Sequence, residues 1–165
     1  MDTLIRIIDT VNTTIGRWNS YLVLPLVGVV FYEVLMRYAF NAPTVWGFEL
    51  TAFIYGIHFM LGLALTEKEE GHVKVEIMTS HFSRKGRAIF NIITYSLLFA
   101  PVFFFMAWGA ISYGWTSAAM LELNSTSWAP PIWPLKGIMG LGFTMLFLQG
   151  ISTLLKNIQI LRGAA

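Results

Sequence analysis

The sequence predicts an all-α integral membrane protein, with four transmembrane helices and an N-terminal amphipathic helix lying in the membrane plane. Three observations carry this prediction. The 165 residues are 56% hydrophobic and only 12% charged, a composition far from that of a soluble domain. Uncharged stretches of fifteen, seventeen, thirty-four and nineteen residues separate Arg17 from Glu33, Glu49 from Glu67, Arg87 from Glu122 and Lys136 from Lys156. Crossing the hydrocarbon takes roughly 20 apolar residues, so each stretch makes a span once its flanking charges reach the interface. Nine of the eleven basic residues fall on one side of those spans and only Arg37 and Lys136 on the other. By the positive-inside rule both termini and the 67–87 linker are cytoplasmic. The spans are placed at about 18–37, 47–66, 88–112 and 135–155. Too little chain is left for a soluble lobe, and residues 1–165 form one membrane domain.

The first segment, "MDTLIRIIDTVNTTIGRW", places Leu4, Ile8, Val11, Ile15 and Trp18 on one helical face. Asp2, Arg6, Asp9 and Thr13 fall mostly on the other. Residues 1–17 therefore read as a helix resting in the cytoplasmic interface. They lack the unbroken apolar core of a cleavable signal.

The first span holds Pro25 and Gly28, which membrane helices tolerate, and ends in "YEVLMRYAF". Glu33 and Arg37 are four apart with the acid first, the better order for an ion pair on one helix face. The loop "NAPT" stops the helix at a proline, and Trp46 marks the return into the membrane at headgroup level. Glu49 opens the second span about one turn deeper, where Arg37 is expected to bridge Glu33 and Glu49. Charge inside a membrane is commonly functional. The shallow depth also suits a structural clasp of the first hairpin, and both readings stand at this point.

After the second span, "HVKVEI" alternates so that His72, Lys74 and Glu76 would face one way and Val73, Val75 and Ile77 the other if extended. This suits a segment resting on the membrane surface or on a neighbour. His72 and His81 are nine apart with no third ligand evident, which argues against a metal site. The chain has no cysteine, and that excludes disulfides and thiolate metal sites.

The third span exceeds what one crossing needs, and Pro101 inside it predicts a kink or tilt. Small residues Gly109, Ala110, Gly114, Ala118 and Ala119 near its outer end permit close helix approach. The outer loop "LELNSTSWAPPIWP" sets Trp128 and Trp133 around three prolines, a stiff interfacial stretch. Gly137, Gly140, Gly142 and Gly150 favour helix packing in the last span, with Gln149 near its inner end. The net charge of +2 is accounted for by topology and implies no nucleic-acid partner.

In their order on four spans, "YEVLMRYAFNAPTVWGFEL", "GHVKVEI" and "ELNSTSWAPPIWPLKGI" resemble the small membrane subunit, the Q subunit, of tripartite ATP-independent periplasmic (TRAP) transporters. The resemblance covers about residues 18–160. It implies a sodium-coupled secondary transporter of the bacterial or archaeal inner membrane. In such systems a periplasmic substrate-binding protein delivers a substrate, usually an organic acid, to a large membrane subunit that binds the sodium. The small subunit holds part of the fixed scaffold and helps form the docking surface, without enzymatic activity or a cofactor of its own. The "WAPPIWP" loop is similar to that of a subgroup associated with 2-oxo acids, mannitol-type and chloroaromatic compounds.

On this basis Glu33, Arg37, Tyr38, Trp46, Glu49 and His72 are candidates for a structural clasp or subunit interface. Asn41, Pro43, Thr44, Glu122, Trp128 and Trp133 are candidates for docking the binding protein. The expected partners are the large subunit, the binding protein and membrane lipid. The four spans offer few polar residues for an ion path, chiefly Glu33, Arg37, Glu49, His58, Asn91 and Gln149, and show no internal repeat of the kind that builds transport sites. Two rivals are a self-sufficient dimeric exporter that exchanges protons at Glu33 and the haem-binding anchor of a respiratory enzyme. The second has one histidine, His58, within a span.

Overall fold

A computed structural model describes residues 2–69 and 82–163. The order is α1 (Asp2–Ser20), α2 (Val23–Tyr38), α3 (Gly47–Lys68), α4 (Arg84–Thr94), a π-helical turn (Tyr95–Phe99), α5 (Ala100–Ala119) and α6 (Trp133–Leu161). Among the described residues there is no strand beyond an isolated bridge between Leu123 and Pro131. Four helical stretches, Asp2–Tyr38, Gly47–Lys68, Arg84–Ala119 and Trp133–Leu161, are long and apolar enough to cross a membrane. The bundle thus has a loop end, with residues 39–46 and 120–132, and a terminal end where α1 begins and α6 finishes.

α6 is the centre of the bundle. At roughly 1.5 Å per residue its 29 residues reach about 43 Å, enough to serve as a post for the other helices. α1, α3, α4 and α5 all pack on it, whereas α2 leans chiefly on α3 and buries no residue. Contact with α3 is close at Gly142, where a Cβ would stand 2.7 Å from the Met60 carbonyl oxygen. In lipid, such small residues let backbones approach and gain dispersion contacts that larger ones prevent. On α5 the buried stripe is Ala107, Ala110, Gly114 and Ser117. Gly109, counted among the packing residues from sequence spacing, faces open space.

Two prolines set the irregularities. Pro25 has no N–H to give the Tyr21 carbonyl, so that oxygen accepts from Leu24 instead, and Tyr21 and Leu22 bond three residues back to Trp18 and Asn19. The break between the first helix and the first span therefore falls at Tyr21–Leu22, a turn later than the boundary expected at residue 17. Pro101 likewise leaves the Leu97 carbonyl without its usual donor. The helix answers with a π turn just before the proline, in which the Ala100 N–H reaches five residues back to Tyr95, a form of helix bulge. The swollen turn drives Phe99 against α6, where a Cβ on Gly150 would stand 2.0 Å from its ring. Tyr95, Phe99 and Phe103 follow one another with ring centroids 4.9 and 4.4 Å apart.

The amphipathic helix expected in the membrane plane is α1. It packs lengthwise on α3 and α6, meeting α6 at Gln159 from Asp2 and α3 at His58 from Asn19, so it runs antiparallel beside both. The reason lies in its inward face of Ile5, Ile8, Asn12, Gly16 and Asn19. Two asparagines there need buried partners and find them on the neighbouring helices. Ile8, assigned from periodicity to the lipid face, turns inward, while Leu4, Val11 and Trp18 of that face remain exposed.

Candidate functional site

The charged stretch that opens at Glu33 resolves into a clasp between α2 and α3. Arg37 Nη2 donates to Glu33 Oε1 at 2.6 Å across one helical turn, as the i, i+4 spacing requires. The second carboxylate oxygen, Oε2, accepts from the Thr44 hydroxyl and from the Thr44 backbone N–H at 3.3 Å. Thr44 Oγ1 in turn accepts from the Gly47 N–H at 3.0 Å, which satisfies one of the orphan donors at the start of α3. Gly47 is tied to this arrangement, because a Cβ there would stand 2.6 Å from both Glu33 Oε2 and Thr44 Oγ1. Trp46 stacks on Tyr32 with centroids 5.7 Å apart and planes 17° apart, closing the hairpin on its apolar side.

The remaining members of the expected clasp divide. Glu49 stands outside it. Its carboxylate accepts from Asn124 Nδ2 at 3.3 Å, so it ties α3 to the second loop rather than to Arg37. Glu33 already accepts Arg37 along the turn of α2, which leaves Glu49 facing residues 120–132. Tyr38 projects outward, 79% exposed. His72 lies outside the described residues, as do "HVKVEI" and His81.

Of the docking candidates, Thr44 is committed to the clasp just described. Asn41 has φ +51°, a left-handed conformation that asparagine tolerates, and it ends α2 while Ala42 N–H returns to the Met36 carbonyl at 2.8 Å. Pro43 is exposed beside it. Glu122 is held from three sides. Lys136 Nζ donates to its Oε2 at 2.5 Å, Ser117 Oγ donates to the same oxygen at 2.6 Å, and its backbone carbonyl accepts from Ile132 N–H. The Lys136 bond first, then the Ser117 hydroxyl, hold the Glu122 carboxyl below its ordinary value against the opposing effect of desolvation. Lys136 also stands over the Tyr113 ring, 4.1 Å from its centroid, a cation–π contact. Asn124 N–H donates to the Pro130 carbonyl at 2.8 Å, and the loop is thereby pinched into a short hairpin. Trp128 and Trp133 sit on its rim, 39% and 36% exposed.

A third polar group lies between α1 and α6. Asp9 accepts from Lys156 Nζ at 2.6 Å, Ser152 Oγ at 2.8 Å and Gln149 Nε2 at 3.0 Å, and Asn12 Nδ2 donates to Gln149 Oε1 at 2.7 Å. Gln149 and Ser152 are fully buried. Further along, Asn19 Nδ2 donates to the His58 carbonyl at 2.7 Å and His58 Nδ1 faces the Asn19 carbonyl at 3.1 Å. This seam was missed in the sequence, where Asp9 read as a water-facing residue. Its signal was present in the spacing of Asn12 and Asn19, seven apart and so on one helix face.

Chemically, each of these groups fixes one element to another. Of their four carboxylates, Glu33, Glu122 and Asp9 are each paired with a cation and a hydroxyl, while Glu49 accepts from the Asn124 amide. Among the described residues no group of three metal-ligating side chains converges.

The profile of the family described as "Tripartite ATP-independent periplasmic transporters, DctQ component" matches residues 26–160, which takes in the clasp, both loops and α6 as far as Ile160. A curated protein, the sialic acid TRAP transporter permease protein SiaT of Haemophilus influenzae (strain 86-028NP), is 26% identical over 106 residues. The matched stretch is 64% of this chain and 17% of the permease, so the chain corresponds to less than a fifth of that relative's length.

Proposed function

The chain belongs to the DctQ component family of tripartite ATP-independent periplasmic transporters, and from that premise we propose that it is the fixed small subunit of a sodium-coupled uptake system for an organic acid. It pairs with a large membrane subunit that carries the substrate and the sodium site, and its loop end helps seat a periplasmic substrate-binding protein. Both termini are cytoplasmic and the membrane is the inner membrane of its cell. The chain itself performs no catalysis and holds no cofactor.

The observation that carries this reading is the fate of its carboxylates. Glu33, Glu122 and Asp9 each accept both an ammonium or guanidinium and a hydroxyl donor. Ionisable groups inside a membrane often mark ion or proton paths, whereas these three are engaged in holding helices and loops together, which favours a scaffold role over proton exchange at Glu33 in a self-sufficient exporter. The sialic acid in the relative's name is itself an organic acid, which supports the substrate class. The residues proposed to meet the binding protein are Asn41, Pro43, Trp128 and Trp133 at the loop end, and the two clasps that brace their loops support this choice.

The test is affinity purification of this chain from its native membrane in mild detergent, with identification of what accompanies it. A much larger polytopic protein in equal amount is the expected result. Recovery of the chain alone as a stable homodimer would overturn the reading. Docking is tested separately by paired substitutions at Pro43 and Trp128, which should weaken uptake while leaving the membrane complex assembled.

A further inference from the structure

Along α1, at 3.6 residues per turn, three stripes run side by side. The buried stripe faces α3 and α6, and an exposed apolar stripe is formed by Leu4, Ile7, Val11 and Trp18. Between them runs a polar stripe of Arg6, Thr10, Thr13 and Arg17. With Lys68 at the end of α3, that stripe lines an open groove of about 550 Å³ at the terminal end of the bundle.

Of the two acids in this groove, Asp9 is neutralised by a cation while Asp2 keeps its charge, so the three basic side chains Arg6, Arg17 and Lys68 leave the lining net positive. Asp9 accepts from Lys156 and Asp2 accepts from Gln159. Lys68 Nζ donates to Thr13 Oγ1 at 2.6 Å and lies 3.8 Å from Glu69. Arg6 and Arg17 are exposed, and among the described residues nothing bonds their guanidinium groups. The Thr13 hydroxyl donates to the Asp9 carbonyl at 2.6 Å. The groove therefore offers the positive charge of Arg6, Arg17 and Lys68 with the hydroxyls of Thr10 and Thr14, directly beside an apolar stripe, where α3 and α6 come to their ends.

We infer that this groove holds the phosphodiester headgroup of an anionic membrane phospholipid, whose acyl chains run from the Val11 level along Trp18 toward the middle of the bundle. Guanidinium groups suit phosphate oxygens because their N–H donors form a planar fork. A soluble phosphate would use the same donors. The adjoining apolar stripe is what selects a lipid, since it gives the attached chains a surface to cover. Lys68 and Arg17 flank Thr13, Arg17 one helical turn beyond it, and form the tighter half of the groove; Arg6 lies about 16 Å from Arg17 along the helix and guides the approach.

The full chain, together with any membrane partner that purifies with it, is delipidated in an uncharged detergent and titrated with phosphatidylglycerol or phosphatidylcholine while the thermal midpoint is followed. Native mass spectrometry counts the bound lipid independently of unfolding. Phosphatidylglycerol is expected to raise the midpoint and to bind at least tenfold more tightly than phosphatidylcholine. A basic side chain near an anionic headgroup contributes about fivefold, so Arg17→Gln should weaken phosphatidylglycerol binding by roughly fivefold, and adding the more distant Arg6→Gln should weaken it further by less than that. Among the described residues neither guanidinium has a hydrogen-bond or ion-pair partner, so the double variant should keep the unliganded midpoint. Equal effects of the two lipids would overturn the inference, as would a double variant that retains the preference. Equal protection by inorganic phosphate would overturn it in favour of a soluble-anion site.

Discussion

Substituting Gly142 by alanine tests whether the closeness of α3 and α6 is what holds the bundle together. The added Cβ would stand 2.7 Å from the Met60 carbonyl oxygen and 3.1 Å from the Met60 carbonyl carbon, and ordinary contact begins at 3.4 Å. The difference, 3.4 minus 2.7, requires the two backbones to part by about 0.7 Å there. The obstacle is backbone, which no rotamer change relieves. Over-packing of this kind costs about 1–3 kcal/mol, and a rigid obstacle places it in the upper half of that range. Alanine is better than glycine in a helix interior by up to ~1 kcal/mol, which leaves a net loss of about 1–2 kcal/mol. For a chain of this size each kcal/mol moves the thermal midpoint by about 2–4 °C, so the midpoint should fall by roughly 2–8 °C.

Gly28 supplies the control. It lies inside α2, and a Cβ there meets nothing within 4 Å. Gly28→Ala therefore receives the helix-propensity gain without the collision, and its midpoint should stay level or rise by up to about 4 °C. Both variants are read by the temperature at which the detergent-solubilised protein loses its monodisperse elution peak. A Gly142→Ala midpoint equal to or above that of Gly28→Ala would refute the argument that α3 and α6 are in rigid contact at this point.

Three further outcomes follow from the polar clasps. Thr44→Ala removes the acceptor for the Gly47 N–H and should cost the helix cap of α3, about 1 kcal/mol, seen as a lower thermal midpoint, with Thr44→Ser retaining most of the wild-type value. Lys156→Met leaves Asp9 without its cation in a seam where Gln149 and Ser152 are fully buried; it should cost about 1–3 kcal/mol, and adding Asp9→Asn should recover part of that loss because the unpaired charge is gone. The Glu122 carboxyl is held below its ordinary value of 4.5, so its contribution is complete above that pH and disappears as pH falls through the lowered folded value. Proteolytic resistance of the 120–132 loop should therefore differ between wild type and Glu122→Gln at pH 7, and the difference should begin to shrink as the pH drops below 4.5 and vanish only once it passes the lowered folded value.

Much of this molecule was legible from residue spacing because a helix relates only residues three or four apart. The four spans, the Glu33–Arg37 pair and the Trp46 re-entry are all local, and each follows from composition or from an i, i+4 interval. Pro101 announced an irregularity in the third span through its missing N–H, and only its form, a π turn fitted against Gly150, was added by packing. The family resemblance was likewise carried by short motifs whose order along the chain needs no structure to see.

Tertiary structure decided which helix lies opposite which. Periodicity could group Asp9 with the polar face of α1, yet its bonds to Gln149, Ser152 and Lys156 span 140, 143 and 147 residues. Glu49 was near enough in sequence to be assigned to Arg37, but its partner is Asn124, 75 residues away. Thr44, read as a docking residue, became the centre of the clasp because the chain reversal at Asn41 returns it to Glu33. In each case a polar group leaving water must find a partner, and the sequence states that need without naming the partner. The packing of α1, α3 and α6 around Gly142 and Gln149 brings the partners within reach.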